Sequence, residues 1–140
     1  MRVVGVDLGA SRIGVAVSDA SGTVASPHIV LRRARDRASD HAALRAVVEE
    51  IEAERVVVGL PLSLDGTMGP AALAVDDEVR ELAAALPVPV ETVDERLTTV
   101  TAERSLRAGG VRGRRRREVV DKVAAAVLLQ AWLDARASRP

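Results

Sequence analysis

Two short apolar runs, "RVVVGL" (55–60) and "VPVETV" (88–93), enclose a stretch in which Pro70 opens a helical pattern reaching about Leu86. Two strands joined through a helix pair in parallel, because the crossover brings the chain back in its original direction. That unit constrains the fold most, since it demands an α/β sheet with a helix packed on its face. Upstream, Val3, Val4, Val6 and Leu8, then Ile13, Val15 and Val17, form two β-rich runs separated by "GAS" (9–11), and Gly22 precedes a third around Val24 to Leu31. Connections this short predict a three-stranded antiparallel meander. The polar segment "RRARDRASD" (32–40) follows, and Ser39 is a candidate N-cap for a helix in which Leu44, Val47, Val48 and Ile51 keep the i, i+3, i+4, i+7 rule. Pro70 fits the first position of the next helix. "TTVTAERSLRA" (98–108) reads as another, stopped by Gly109 and Gly110, and residues 117–136, after a basic loop, form the last and longest. The predicted order is β-β-β-α-β-α-β-α-α, which gives a mixed five-stranded sheet flanked by helices.

A chain of 140 residues makes about one domain, so residues 1–140 are expected to form a single unit. Without cysteine there is no disulfide and no thiolate zinc site to propose. The first residues enter a β-pattern directly, with none of the features of a signal peptide, and no apolar run approaches ~20 residues. The expectation is a soluble cytoplasmic protein. Phe and Tyr are absent and Trp132 stands alone, so the core must be built from Val, Leu, Ile and Ala, and binding by a row of base-stacking rings is nearly excluded. The net charge of zero hides a segregation: residues 41–95 carry 12 acidic and 3 basic side chains, residues 96–140 carry 11 basic and 4 acidic. All the basic residues but Lys122 are arginine, which suits bidentate phosphate contacts.

Three carboxylates sit where the patterns ask for buried positions. Asp7 lies inside "VVGVDLG" (3–9), on the strand face shared with Val3 and Gly5. Its plain alternative role is to end the strand and cap the turn. Asp94 and Glu95 follow the second parallel strand directly, at the carboxyl end where α/β sheets place ligands; a helix-starting role accounts for one of the two. Asp121 shares a stripe with Ala125, Leu128 and Trp132 on the last helix, a face that packs on the sheet, although acids near a helix start also gain from its dipole. Were Asp7, Glu95 and Asp121 to converge, two carboxylates ~4 Å apart would repel by ~4 kcal/mol at an effective dielectric of ~20. Such a cluster calls for a shared proton or a bound cation. An all-oxygen set favours Mg²⁺ or Mn²⁺, and two such ions suit phosphodiester hydrolysis. His28 and His41, outside these stretches, read as polar-surface residues.

Four stretches, "VDLGASRIGVAVSD" (6–19), "VVGLPLSLDGTMGP" (57–70), "VDERLTTVTAE" (93–103) and "DKVAAAVLLQAWLD" (121–134), resemble the RuvX/YqgF family of RNase H-like nucleases, also described as Holliday junction resolvase-like proteins. The resemblance spans nearly the whole chain. It implies an RNase H-like fold and maps the family's catalytic and metal-holding acids onto Asp7, Glu95 and Asp121, with Asp94 the lesser candidate for the Glu95 role. It implies a nucleic-acid substrate, either the 5′ end of 16S ribosomal RNA precursor, which we favour here, or branched DNA such as a Holliday junction. Where the family usually carries a basic residue this chain has Ser11, so phosphate contact near the first turn falls to Arg12.

Arg104, Arg107, Arg112, Arg114, Arg115, Arg116 and Arg117 crowd into fourteen residues just before Asp121. Charge runs are commonly only solvated faces; beside an acidic metal site, a phosphate-guiding rim is the sharper reading. Arg96 is expected to brace the carboxylates or contact phosphate. The segment holding Gly59, Pro61, Asp65, Gly66 and Gly69 reads either as a mobile loop closing over the scissile phosphate or as an ordinary strand-to-helix connection. Two rival readings remain. Actin-like and sugar-kinase ATPases also open with an acidic strand and a glycine turn, but they wrap two such domains around a nucleotide and this chain has room for one. A noncatalytic RNA-binding or transcription factor is the other. Both a monomer and a homodimer suit the fold.

Overall fold

The computed structural model describes residues 1–97 and 113–138, with residues 97 and 113–120 described by backbone alone. Strands β1 (Val3–Leu8), β2 (Arg12–Ser18) and β3 (Ala25–Arg32) are followed by helix α1 (Arg37–Ile51), β4 (Arg55–Leu60), α2 (Pro70–Ala85), β5 (Val90–Asp94), a single 3-10 turn (Glu95–Leu97) and α3 (Gly113–Ala137). The sheet order is β3-β2-β1-β4-β5. The meander pairs antiparallel, and β4 lies parallel to both β1 and β5, as the crossovers demand. The helix expected over 98–108 lies outside the described residues, as do Arg104, Arg107 and Arg112.

Alternation along β1 sorts its side chains onto two faces. Val4, Val6 and Leu8 join Leu44, Val47 and Val48 of α1 and Val75, Val79 and Leu82 of α2 in one core. Val3, Ala16 and Val57 join Ala125, Leu128, Leu129 and Leu133 of α3 in the other. Asp7 belongs to this second face.

Helix α3 can lie flat on the sheet because the strands beneath it present glycine. A Cβ at Gly14 would stand 2.1 Å from the Asp121 carbonyl oxygen, and one at Gly5 would stand 2.8 Å from Leu129 Cβ. Both contacts lie below what real side chains tolerate, so the glycines set the height of the helix and hence the depth of Asp121.

Two boundaries differ from expectation. Helix α1 is capped by Asp36, whose Oδ1 accepts from Ser39 N at 2.7 Å, and Ser39 sits inside the helix. Asp36 takes the cap because the helix begins at Arg37, seven residues ahead of Leu44, the first residue of its apolar stripe. Helix α3 likewise begins at Gly113, so Arg114 to Arg117 occupy its first turns rather than a loop. Arginine propagates a helix well, and no glycine or proline interrupts the run from Arg114 to Asp121.

Candidate active site

The three carboxylates come from three elements. Asp7 is the fifth residue of β1, Glu95 opens the 3-10 turn that follows β5, and Asp121 lies on α3 where that helix crosses Gly14. Because β1, β4 and β5 are parallel, Asp7 and Glu95 both lie toward the carboxyl edge of the sheet. Gly59 of β4 lies between them in strand order, and a Cβ there would stand 3.4 Å from Glu95 Oε2.

Electrostatics ties the three together. Burial lifts the Asp7 carboxyl from its ordinary value of 3.8 to about 7, and the negative charges of Glu95 and Asp121 add to the lift. Burial also raises Glu95. Asp121 meets a cation: its Oδ2 accepts from Arg12 Nε at 2.6 Å. Arg12, expected on phosphate, is thus placed on the third acid. Among the described residues, no three His, Asp or Glu side chains stand close enough together to hold a metal ion jointly. Asp7 is within electrostatic reach of both Glu95 and Asp121, and the guanidinium of Arg12 supplies positive charge beside Asp121. Hard carboxylate oxygens with an excess of negative charge over positive are the donor set that fits Mg²⁺ or Mn²⁺.

Adjacent acids on the β5 edge have opposite surroundings. Asp94 caps the turn, accepting Arg96 N at 3.0 Å, and takes the Arg96 side chain on both oxygens, with Nη2 to Oδ2 at 2.6 Å. These hydrogen bonds hold Asp94 below the usual carboxylate range. Asp94 is therefore spent on the turn and on Arg96, whereas Glu95 is desolvated toward Asp7.

Arg96 also reaches the segment between β4 and α2, where Nη1 donates to the Leu64 carbonyl at 3.2 Å. The segment is hydrogen-bonded to itself, through Ser63 N to Thr67 O at 2.9 Å and Thr67 Oγ1 to Asp65 Oδ1 at 2.6 Å. Gly59 lies within β4, paired with Val93, rather than in this loop. Pro61, Asp65, Gly66 and Gly69 do belong to it.

Sequence reasoning missed a second polar cluster, on the opposite face of the sheet. Arg33 donates from Nε to the Gly9 carbonyl at 2.9 Å and lays its fork on Glu78, Nη1 to Oε2 at 2.6 Å and Nη2 to Oε1 at 2.8 Å. His41 Nε2 lies 2.9 Å from the same Glu78 Oε2. Burial pushes Glu78 up, but the hydrogen bonds from Arg33 and His41 prevail and its carboxyl lies below the ordinary value. His41 is 3% exposed, contrary to the expectation of a polar-surface residue; a carboxylate on α2 gives the buried ring its partner. His28 is exposed as expected. A cleft of about 450 Å³ opens on this face, lined by Gly9, Arg33, Asp40, Pro61 and Glu78 among others. It lies across the sheet from Asp7 and includes none of the three acids. The cluster fixes the turn that follows Asp7, and no periodicity could have announced it, because Arg33 and Glu78 are 45 residues apart.

A family model named RuvX, described as a Holliday junction resolvase, matches residues 1–135. A protein of Anaeromyxobacter dehalogenans (strain 2CP-C) is 51% identical over 137 residues, covering 98% of this chain and 99% of its own, and one of Syntrophomonas wolfei is 44% identical over 134 residues, covering 96% and 94%. Each bears the name "Putative pre-16S rRNA nuclease". Among solved structures, Thermus thermophilus RuvC in complex with a Holliday junction substrate aligns with a TM-score of 0.60 at 19% identity, covering 99% of this chain and 96% of that one. The five-stranded mixed sheet with helices on both faces is thus the RNase H-like fold of RuvC. With a family match over nearly its whole length and relatives near half identity, the chain belongs to the RuvX family.

Proposed function

We propose that this protein is a divalent-metal-dependent endonuclease that hydrolyses phosphodiester bonds in nucleic acid, and that its substrate is the 5′-extended precursor of 16S ribosomal RNA. One observation carries the reading: at the carboxyl edge of an RNase H-like sheet, the charges of Glu95 from the β5 edge and Asp121 from α3 both bear on the buried Asp7 carboxyl of β1. The names of its full-length relatives favour the RNA substrate. The cytoplasm is the compartment this substrate implies.

Asp7, Glu95 and Asp121 are the residues that would hold Mg²⁺ or Mn²⁺. Bound there, the ions would polarise the phosphate and lower the pKa of an attacking water. The protein's own groups do the rest. Asp7 supplies a desolvated oxygen from a rigid strand. Glu95 supplies another, aimed by the turn that Asp94 caps. Arg12, paired with Asp121, holds positive charge beside the acids, where it would meet a phosphate oxygen. The arginines at 112 and 114–117, which directly precede Asp121 in the chain, would supply the positive charge that accelerates encounter with a polyanion.

A branched-DNA substrate is the second reading, favoured by the family's description and by the junction bound to the structural neighbour. Both are tested side by side. Purified protein with Mg²⁺ or Mn²⁺ is expected to cut the RNA precursor faster than a four-way DNA junction, and Asp7→Asn is expected to abolish cutting while keeping the circular dichroism of the wild type. Faster cutting of the junction would transfer the reading to DNA. Binding of RNA without cleavage of either substrate would favour a noncatalytic RNA-binding factor.

A further inference from the structure

We propose that Leu64 is the apolar contact that holds a nucleobase beside the scissile phosphate, unstacking it from its neighbour; the proposal rests on the nuclease reading above. Leu64 is 96% exposed, and the other exposed large hydrophobic residues among those described are Val24, Met68 and Leu73, at 54%, 40% and 55%. Three of these four fall within residues 64–73, the loop and first turn of α2 next to the site. A solvated leucine alone is ordinary. This one is held in place. Gly66 N donates to Ser63 O at 2.8 Å, Thr67 N donates to Asp65 Oδ1 at 3.0 Å, and the Leu64 carbonyl itself is gripped by Arg96, the residue directly after Glu95. The loop therefore presents its apolar tip next to a guanidinium that is fixed on Asp94.

An apolar surface beside a cation matches a nucleotide, which offers a base face beside an anionic phosphate. Proteins that part stacked bases commonly do so by inserting Leu, Ile, Met or Phe. Here no aromatic ring is available for the task. Phe and Tyr are absent, and Trp132 sits on α3 with its Nε1 hydrogen-bonded to Glu91. Leu64, with Met68 behind it in the chain, is the apolar group that the loop extends into solvent.

The test uses a 5′-extended 16S RNA fragment. The cut made by wild type in Mn²⁺ locates the scissile bond, and 2-aminopurine is then placed on either side of it. Bound to Asp7→Asn protein, which leaves the RNA intact, one of the two positions is expected to brighten about twofold as its base leaves the stack. Adding Leu64→Ala should abolish the rise and Leu64→Phe should keep it, while the anisotropy-measured affinity changes less than tenfold. In the otherwise wild-type protein, Leu64→Ala should lower kcat/KM about tenfold. A rise that survives Leu64→Ala, or bound RNA with no rise at either position, overturns the role of Leu64 and leaves the nuclease reading standing. Failure of wild type to cut any nucleic acid overturns the nuclease reading and this inference with it.

Discussion

Asp7 is a side chain whose burial is unfavourable for the fold and which the proposed chemistry would require. Its carboxyl titrates near 7 in the folded chain against 3.8 ordinarily, so between those values the folded state holds a proton that the unfolded state has released. Stability from this group therefore falls as pH rises from about 4 to about 7, by at most about 4 kcal/mol. Asp7→Asn should accordingly raise the Tm of metal-free protein at pH 8 and change it little at pH 4, as thermal scans in EDTA would record. An equal shift at both values would mean that burial of Asp7 is not what raises its carboxyl. The two acids beside β5 offer a sharper comparison. Glu95→Gln should lower cleavage by about a thousandfold, on the order of 4 kcal/mol of transition-state stabilisation. Asp94→Asn, which loosens only the turn and Arg96, should cost less than about tenfold; the reverse order in a single-turnover assay would assign the chemistry to Asp94.

At the scale of elements, the site exists because a helix is allowed to touch a sheet. A methyl group at Gly14 would collide with the backbone of Asp121, so Gly14→Ala should lift the start of α3, destabilise the fold by about 1–3 kcal/mol in urea titrations and reduce activity beyond what the lost stability explains. What could be read from sequence followed the reach of local pattern. The meander, the crossovers and the inward stripe of α3 were legible because residues two, three or four apart decide them. The start of α1 was misread because Asp36 and Ser39 both make good caps and the choice between them depends on where the backbone turns. The arginines of α3 looked like a loop because charge density conceals helix propensity. The Arg33, His41 and Glu78 cluster was invisible, since it joins a strand end to two helices through contacts with no fixed spacing. Asp7, Glu95 and Asp121 were legible as exceptions to pattern, whereas the pairing of Arg12 with Asp121, across 109 residues, was not.

Over the whole molecule, charge is divided by function. The acidic middle of the chain, residues 41–95, supplies α1, α2 and the β5 edge, while the basic final third supplies α3 and the segment before it. Zero net charge thus conceals a basic run directly before Asp121 in the chain, which the proposed function assigns to phosphate. If several arginines there neutralise phosphates, log Kd for RNA should rise with log salt by ~0.7 to 0.9 per contact, and replacing Arg115 and Arg116 with Gln should lower that slope by nearly two such contacts. A slope unchanged by the double substitution would place the RNA elsewhere. The claim on which everything else depends is that three distant carboxylates make one divalent-ion site. Mn²⁺ titration followed by electron paramagnetic resonance tests it most directly, because it counts free ion without relying on any substrate. Wild type should bind Mn²⁺, and Asp7→Asn, Glu95→Gln and Asp121→Asn should each weaken binding at least tenfold; binding that all three substitutions leave intact would contradict it.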